Sequence, residues 1–118
     1  MDVRSIYDQK PESDHEASVT VWWLVREGEL RDKTKGGSLE LVAAFEVPAG
    51  GQVQPHTHPT HEFYYVTSGR GVVTIEDEEQ SVSEGDLVYI PPNLVHSLRS
   101  GPGVSVRAVA FAMAGTEE

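Results

Sequence analysis

Short runs of apolar and β-branched residues, each closed within a few positions by glycine, proline or charge, set the pattern of this chain. Val19–Val25 (VTVWWLV) and Ser38–Val47 (SLELVAAFEV) have the composition of strands, and Pro48-Ala49-Gly50-Gly51 ends the second. Glu62–Thr67 (EFYYVT) and Val72–Ile75 are further strands, and Gly69-Arg70-Gly71 between them reads as a hairpin turn. Gln80–Val82, Leu87–Ile90, Val95–Leu98 and Val104–Met113 complete the set. Arg26–Gly37 reads as a charged loop, and Glu76-Asp77-Glu78-Glu79 as a solvated turn. No segment keeps a helical period over three turns. Many short strands with Gly and Pro between them predict an all-β sandwich or barrel. Residues 1–17 are polar and of mixed charge, which predicts a tail or an edge segment ahead of a barrel domain over 18–115.

Length and charge narrow the picture. A chain of 118 residues favours one domain, able to bury roughly two-thirds of the surface its unfolded form exposes. It contains no cysteine, so thiolate metal sites, iron–sulfur clusters and thiol catalysis are excluded. The formal net charge of −10, with scattered lysines and arginines, argues against nucleic acid and anionic membranes as partners. Met1–Lys10 holds no apolar run of the signal-peptide kind, and no stretch is long and apolar enough to cross a bilayer. A cytoplasmic location is the expectation. Val19–Val25 is apolar on both faces, with Trp22 and Trp23 on opposite sides. One tryptophan is expected in the core and the other at an interface.

The histidines carry the candidate chemistry. Four of five fall in two short segments, the first being Pro55-His56-Thr57-His58-Pro59-Thr60-His61-Glu62. Residues two apart in an extended chain point the same way, so His56 and His58 can face one ion. Pro55 and Pro59 bias the pair toward extended geometry. Glu62 shares parity with Tyr64 and Val66, so it faces the interior if Val66 does. A carboxylate sent into a barrel interior is costly without a positive partner, and a divalent cation would supply one. A His-x-His pair alone is a weak signal, since surface loops collect such pairs by chance. With a carboxylate and a distant histidine in consistent parity, it points to a metal. His61 has the opposite parity, which predicts a supporting or rim position, or a ligand role in place of Glu62 if the chain bulges there. His15, in the polar segment, is expected to be solvated.

These residues resemble the two motifs of the cupin superfamily. Gly50, His56, His58, Glu62 and Gly69 match the first motif at every spacing. Gly85, Pro91, His96 and the positions of Asn93 and Ser100 match the second, with Asn93 where glycine is usual and Ser100 where asparagine is usual. Asn93 is a mild departure, because asparagine tolerates the left-handed backbone that glycine supplies. The fifteen residues between Gly69 and Gly85 are similar to the spacer of small single-domain cupins.

The resemblance implies a jelly-roll β-barrel with metal ligands His56, His58, Glu62 and His96. That donor set suits a divalent transition metal: Fe, Mn, Ni, Zn or Cu. It implies a metal-dependent enzyme of the dioxygenase, decarboxylase, isomerase or lyase kind, acting on a small polar organic molecule. A non-catalytic, metal-dependent ligand-binding or sensor module is the alternative. The Glu-x-Tyr pair is similar to that of some cupin lyases, which implies Tyr64 as a catalytic base; simple barrel packing is the other reading. Small cupins commonly pair through N-terminal strands, which implies a homodimer.

Overall fold

The computed structural model describes residues 1–31 and 38–114. Among these residues nine strands follow in chain order: β1 (Glu12–Asp14), β2 (Val19–Val25), β3 (Leu39–Val47), β4 (Gln52–His56), β5 (His61–Ile75), β6 (Glu78–Ser83), β7 (Leu87–Ile90), β8 (His96–Ser100) and β9 (Val106–Met113). A single 3₁₀ turn, Ile6–Asp8, precedes them. All pairings are antiparallel. The fold is the all-β jelly roll expected from the sequence. Among the described residues no helix is long and apolar enough to cross a membrane. Of the expected Arg26–Gly37 loop, residues 32–37 lie outside the described residues, as does residue 115 at the end of the expected barrel domain.

One layer runs β1-β2-β3-β9-β5-β7, and the other runs β4-β8-β5-β6. Strand β5 belongs to both. Residues 61–69 pair with β9 in the first layer, and residues 70–75 pair with β6 and β8 in the second. The hairpin expected at Gly69-Arg70-Gly71 is therefore absent: the chain bends there and continues. A bulge lies between Val66 and Ser68, and Gly69 follows with φ +78°. Bulge and glycine together turn the strand from one sheet into the next without reversing it. The reversal comes later, at Glu76-Asp77, inside the acidic run.

Inward side chains alternate along the strands as a half-buried pleat requires. Val19 and Val21, Phe45 and Val47, Tyr64 and Val66, Val73, Ile90, Leu98 and Val106 form the core. The inward residues of β9 beyond Val106 are Ala108, Ala110 and Ala112. Such small side chains leave the barrel unfilled on that side. The turns that place the two motifs adopt the left-handed conformation: Gly50 (φ +81°), Gly85 (+93°) and Asn93 (+65°), the last where glycine is usual. Ser100 donates its hydroxyl proton to the Pro48 carbonyl at 2.7 Å, anchoring the turn that leads into β4.

Within residues 1–17, β1 is an edge strand of the sheet. Residues 12–14 pair with 21–19, and the Arg4 guanidinium donates to the Leu24 carbonyl at 2.7 Å. Trp23 packs against the core, while Trp22 lies on the outer face with the Arg107 guanidinium 6.0 Å from its ring.

Candidate metal centre

His56 ends β4, His58 follows it, Glu62 is the second residue of β5, and His96 opens β8. His56 and His96 are cross-strand partners. The ladder of β4 slips between Val53 and His56, at Gln54-Pro55. There the inward side changes from the odd parity of Val53 to the even parity of His56. The structure brings all four expected ligands together: one donor atom from each lies within 4.8 Å of the others. The rings of His56 and His96 are 4.3 Å apart between centroids, and those of His58 and His96 are 4.8 Å apart. The Asn93 amide donates to the His58 carbonyl at 2.9 Å, which ties the two motif segments to each other.

Hydrogen bonds fix which ring nitrogen His56 and His96 present. A carbonyl oxygen only accepts, so a ring nitrogen beside one carries the proton. The Nδ1–H of His56 donates to the Gln54 carbonyl at 2.7 Å, and that of His96 donates to the Leu94 carbonyl at 3.0 Å. In both rings the Nε2 lone pair is left for a cation, the arrangement that ligating histidines use. His58 Nδ1 meets the Thr60 hydroxyl at 3.0 Å. His58 Nε2 is 3.2 Å from one Glu62 oxygen, and His96 Nε2 is 3.4 Å from the other.

Glu62 is 6% exposed and His96 only 2%. His96 Nε2 is buried with no hydrogen-bond partner. A buried polar atom left unpaired is costly, and a lone pair facing a carboxylate adds repulsion unless a positive charge sits between them. Burial pushes the Glu62 carboxyl up, but the neighbouring His58 imidazole opposes it, and the carboxyl lies below its ordinary value. Burial lowers His56, favouring the neutral ring, while the hydrogen bond to Glu62 raises His58. Three imidazoles and one anionic carboxylate, with one orphaned nitrogen, fit a divalent transition metal.

Tyr64 lines the same space and is buried, with its ring edge-on to Phe45 at 5.1 Å. Burial and the nearby Glu62 charge push its hydroxyl well above the ordinary tyrosine value, so Tyr64 stands protonated. His61 is on the opposite face of β5, where its Nδ1 shares a hydrogen bond of 2.6 Å with the Tyr89 hydroxyl. It is outside the four-residue group, as its parity predicts.

His56, His58 and Glu62 line a cavity of about 320 Å³ whose walls include Val19, Val21, Trp23, Phe45, Val53 and Ala110. His15 also lines this cavity, and its ring is 5.2 Å from that of His56. The expectation that His15 is merely solvated is corrected here: pairing of residues 12–14 with β2 carries it to the barrel mouth. A larger cleft of about 430 Å³, lined by Val82, Asp86 and Val88 among others, contains none of the four residues.

The sequence model of the cupin domain family matches residues 43–110, which include both motif segments. The chain belongs to the cupin family. An uncharacterised protein of Methanocaldococcus jannaschii is 39% identical over 67 residues, a stretch covering 56% of this cupin and 53% of that protein. This cupin thus spans about half the length of that relative. Among solved structures, a predicted oxalate decarboxylase from Thermotoga maritima superposes with a TM-score of 0.82 at 19% identity, covering 96% of this chain and 99% of that one. The polyketide cyclase RemF from Streptomyces resistomycificus superposes with a TM-score of 0.76 at 25% identity, covering 98% of this chain and 80% of that one.

Proposed function

We propose that this cupin is a metal-dependent enzyme of the dioxygenase, decarboxylase, isomerase or lyase kind, with a divalent transition metal held by His56, His58, Glu62 and His96. The observation that carries the reading is the buried His96 Nε2, which has no hydrogen-bond partner and faces the Glu62 carboxylate. When bound, the metal supplies a Lewis acid or redox centre beside the substrate. The cavity fits a small organic molecule with an oxygen-bearing, chelating end, the rest of it meeting apolar walls. Tyr64 is the proposed proton-transfer residue. Burial and the Glu62 charge hold its hydroxyl protonated in this structure, the state from which it would exchange a proton with a substrate.

Metal analysis of anaerobically purified protein, followed by a screen of small organic acids with oxygen consumption recorded, tests this reading. About one divalent ion per chain is expected. His96→Ala or His56→Ala should weaken metal binding at least about tenfold, the scale on which even supporting residues act. Full occupancy in the His96→Ala protein would contradict the four-ligand site. Ligand binding without turnover of any compound would leave a binding module rather than an enzyme.

The proposal extends to a two-fold homodimer, formed through the outer sheet face that carries Trp22 of β2. Strand β2 lies between β1 and β3 and turns one side to the core. The apolar outer face is broader. Trp22, Ala44, Val109, Tyr65 and Leu87 are successive cross-strand partners over β2, β3, β9, β5 and β7. Val42, Phe111, Phe63 and Tyr89 form the adjacent row. A contiguous apolar sheet face of this kind marks an interaction surface. Light scattering is expected to give twice the chain mass of 12.9 kDa. A monomer mass throughout the micromolar range would count against the dimer.

A further inference from the structure

His15 sits beside the proposed metal ligands without sharing their hydrogen-bonding pattern, and the difference originates in one residue. The Gln54 carbonyl accepts from His56 Nδ1–H, whereas the Gln54 amide N–H donates to His15 Nδ1 at 3.1 Å. An imidazole nitrogen that accepts from an N–H carries no proton, so the His15 proton is on Nε2. The two faces of one residue thus set neighbouring rings to opposite tautomers. His56 presents a lone pair, suited to a cation. His15 presents an N–H, suited to an acceptor oxygen. Among the described residues, His15 Nε2 meets no acceptor.

The backbone holds His15 in place at a conformational cost. His15, Glu16 and Ala17 have φ of 51°, 57° and 65°, three successive non-glycine residues in the left-handed region. Each is disfavoured by roughly 1–2 kcal/mol for an ordinary L-residue. Such a run persists where its surroundings fix it. Here the His15 N–H donates to Asp14 Oδ1 at 2.8 Å, the Ser18 N–H donates to the His15 carbonyl at 3.1 Å, and β1 pairs with β2. The turn delivers one polar ring to a largely apolar cavity wall, next to His56.

We infer that His15 is a substrate-binding residue whose Nε2–H donates a hydrogen bond to an anionic oxygen, carboxylate or enolate, of a small acid chelated at the metal. This rests on the reading of His56, His58, Glu62 and His96 as a metal centre. It makes His15 a selector of substrate charge rather than a fifth ligand, since a protonated Nε2 has no lone pair to give.

The test uses zinc-loaded full-length protein and oxalate as a bidentate anionic probe. Two-bond ¹⁵N–¹H spectra of histidine-labelled protein are expected to show His15 with its proton on Nε2 and His56 and His96 with theirs on Nδ1. Oxalate should shift the His15 resonances. His15→Asn keeps a residue that accepts the left-handed backbone but removes the ring. It is expected to take up zinc as wild type does and to bind oxalate about tenfold more weakly or worse, the scale of a lost hydrogen bond to a charged group. Overturning results are a His15 proton on Nδ1, loss of zinc in His15→Asn, or oxalate affinity in that variant within twofold of wild type. Zinc-loaded wild type that binds no oxalate also overturns the His15 role, and that role alone. Wild type that takes up no zinc overturns the metal reading and the His15 role with it.

Discussion

Gly69→Ala is expected to destabilise the barrel by about 3 kcal/mol or more, a large share of the roughly 5–15 kcal/mol that holds a domain folded. Two costs combine. With φ at +78° an alanine is strained by about 1–2 kcal/mol. Its Cβ would also sit 1.9 Å from the Ser105 carbonyl oxygen and 3.1 Å from Val106 Cα. These are backbone atoms that no rotamer change can move, and overpacking of this kind costs about 1–3 kcal/mol. Gly50 and Gly85 provide the control. Their φ values are +81° and +93°, but nothing lies within 4 Å of a Cβ at either. Alanine there should cost the backbone term alone. Denaturant unfolding of the three variants decides the matter, and a Gly69→Ala loss within 1 kcal/mol of Gly50→Ala would remove the steric argument.

Tyr64→Phe carries the largest expected effect on chemistry. The change removes one hydroxyl and keeps the ring against Phe45. Metal content and thermal stability should stay near wild type. Turnover of the substrate found by the acid screen should fall by roughly 10²–10⁴-fold, the usual contribution of a positioned proton-transfer group. Retention of most activity at full metal loading would leave Tyr64 as barrel packing.

Much of this architecture is legible in the chain, and the failures have physical causes. Strands β2 and β7 occupy the residues their composition marks, because β-branched, aliphatic and aromatic residues run unbroken between polar or proline stops. Strand β4 escapes notice because Gln52-Val53-Gln54-Pro55-His56 has one apolar side chain and a proline. That proline falls where the ladder slips, the position a residue without an N–H tolerates. Strand β1 (Glu12-Ser13-Asp14) is wholly exposed, so no hydrophobic period announces it. The continuity of β5 is hidden by Gly69 and Gly71, whose local signal reads as reversal; only the pairing with β9 and β8 shows a bend. The four-residue group was legible because two short spacings and strand parity fix three members, and the second motif supplies the fourth. His15 was not, because a left-handed turn made of His, Glu and Ala carries none of the usual glycine or asparagine signals.

The most direct test of the metal centre is anomalous diffraction from crystals of zinc-loaded protein, recorded on both sides of the zinc absorption edge. One strong anomalous peak per chain is expected inside the barrel, about 2.0–2.2 Å from Nε2 of His56, His58 and His96 and from a Glu62 oxygen. A peak bound by other residues, or a barrel without one in protein shown by metal analysis to be loaded, would contradict the four-ligand site.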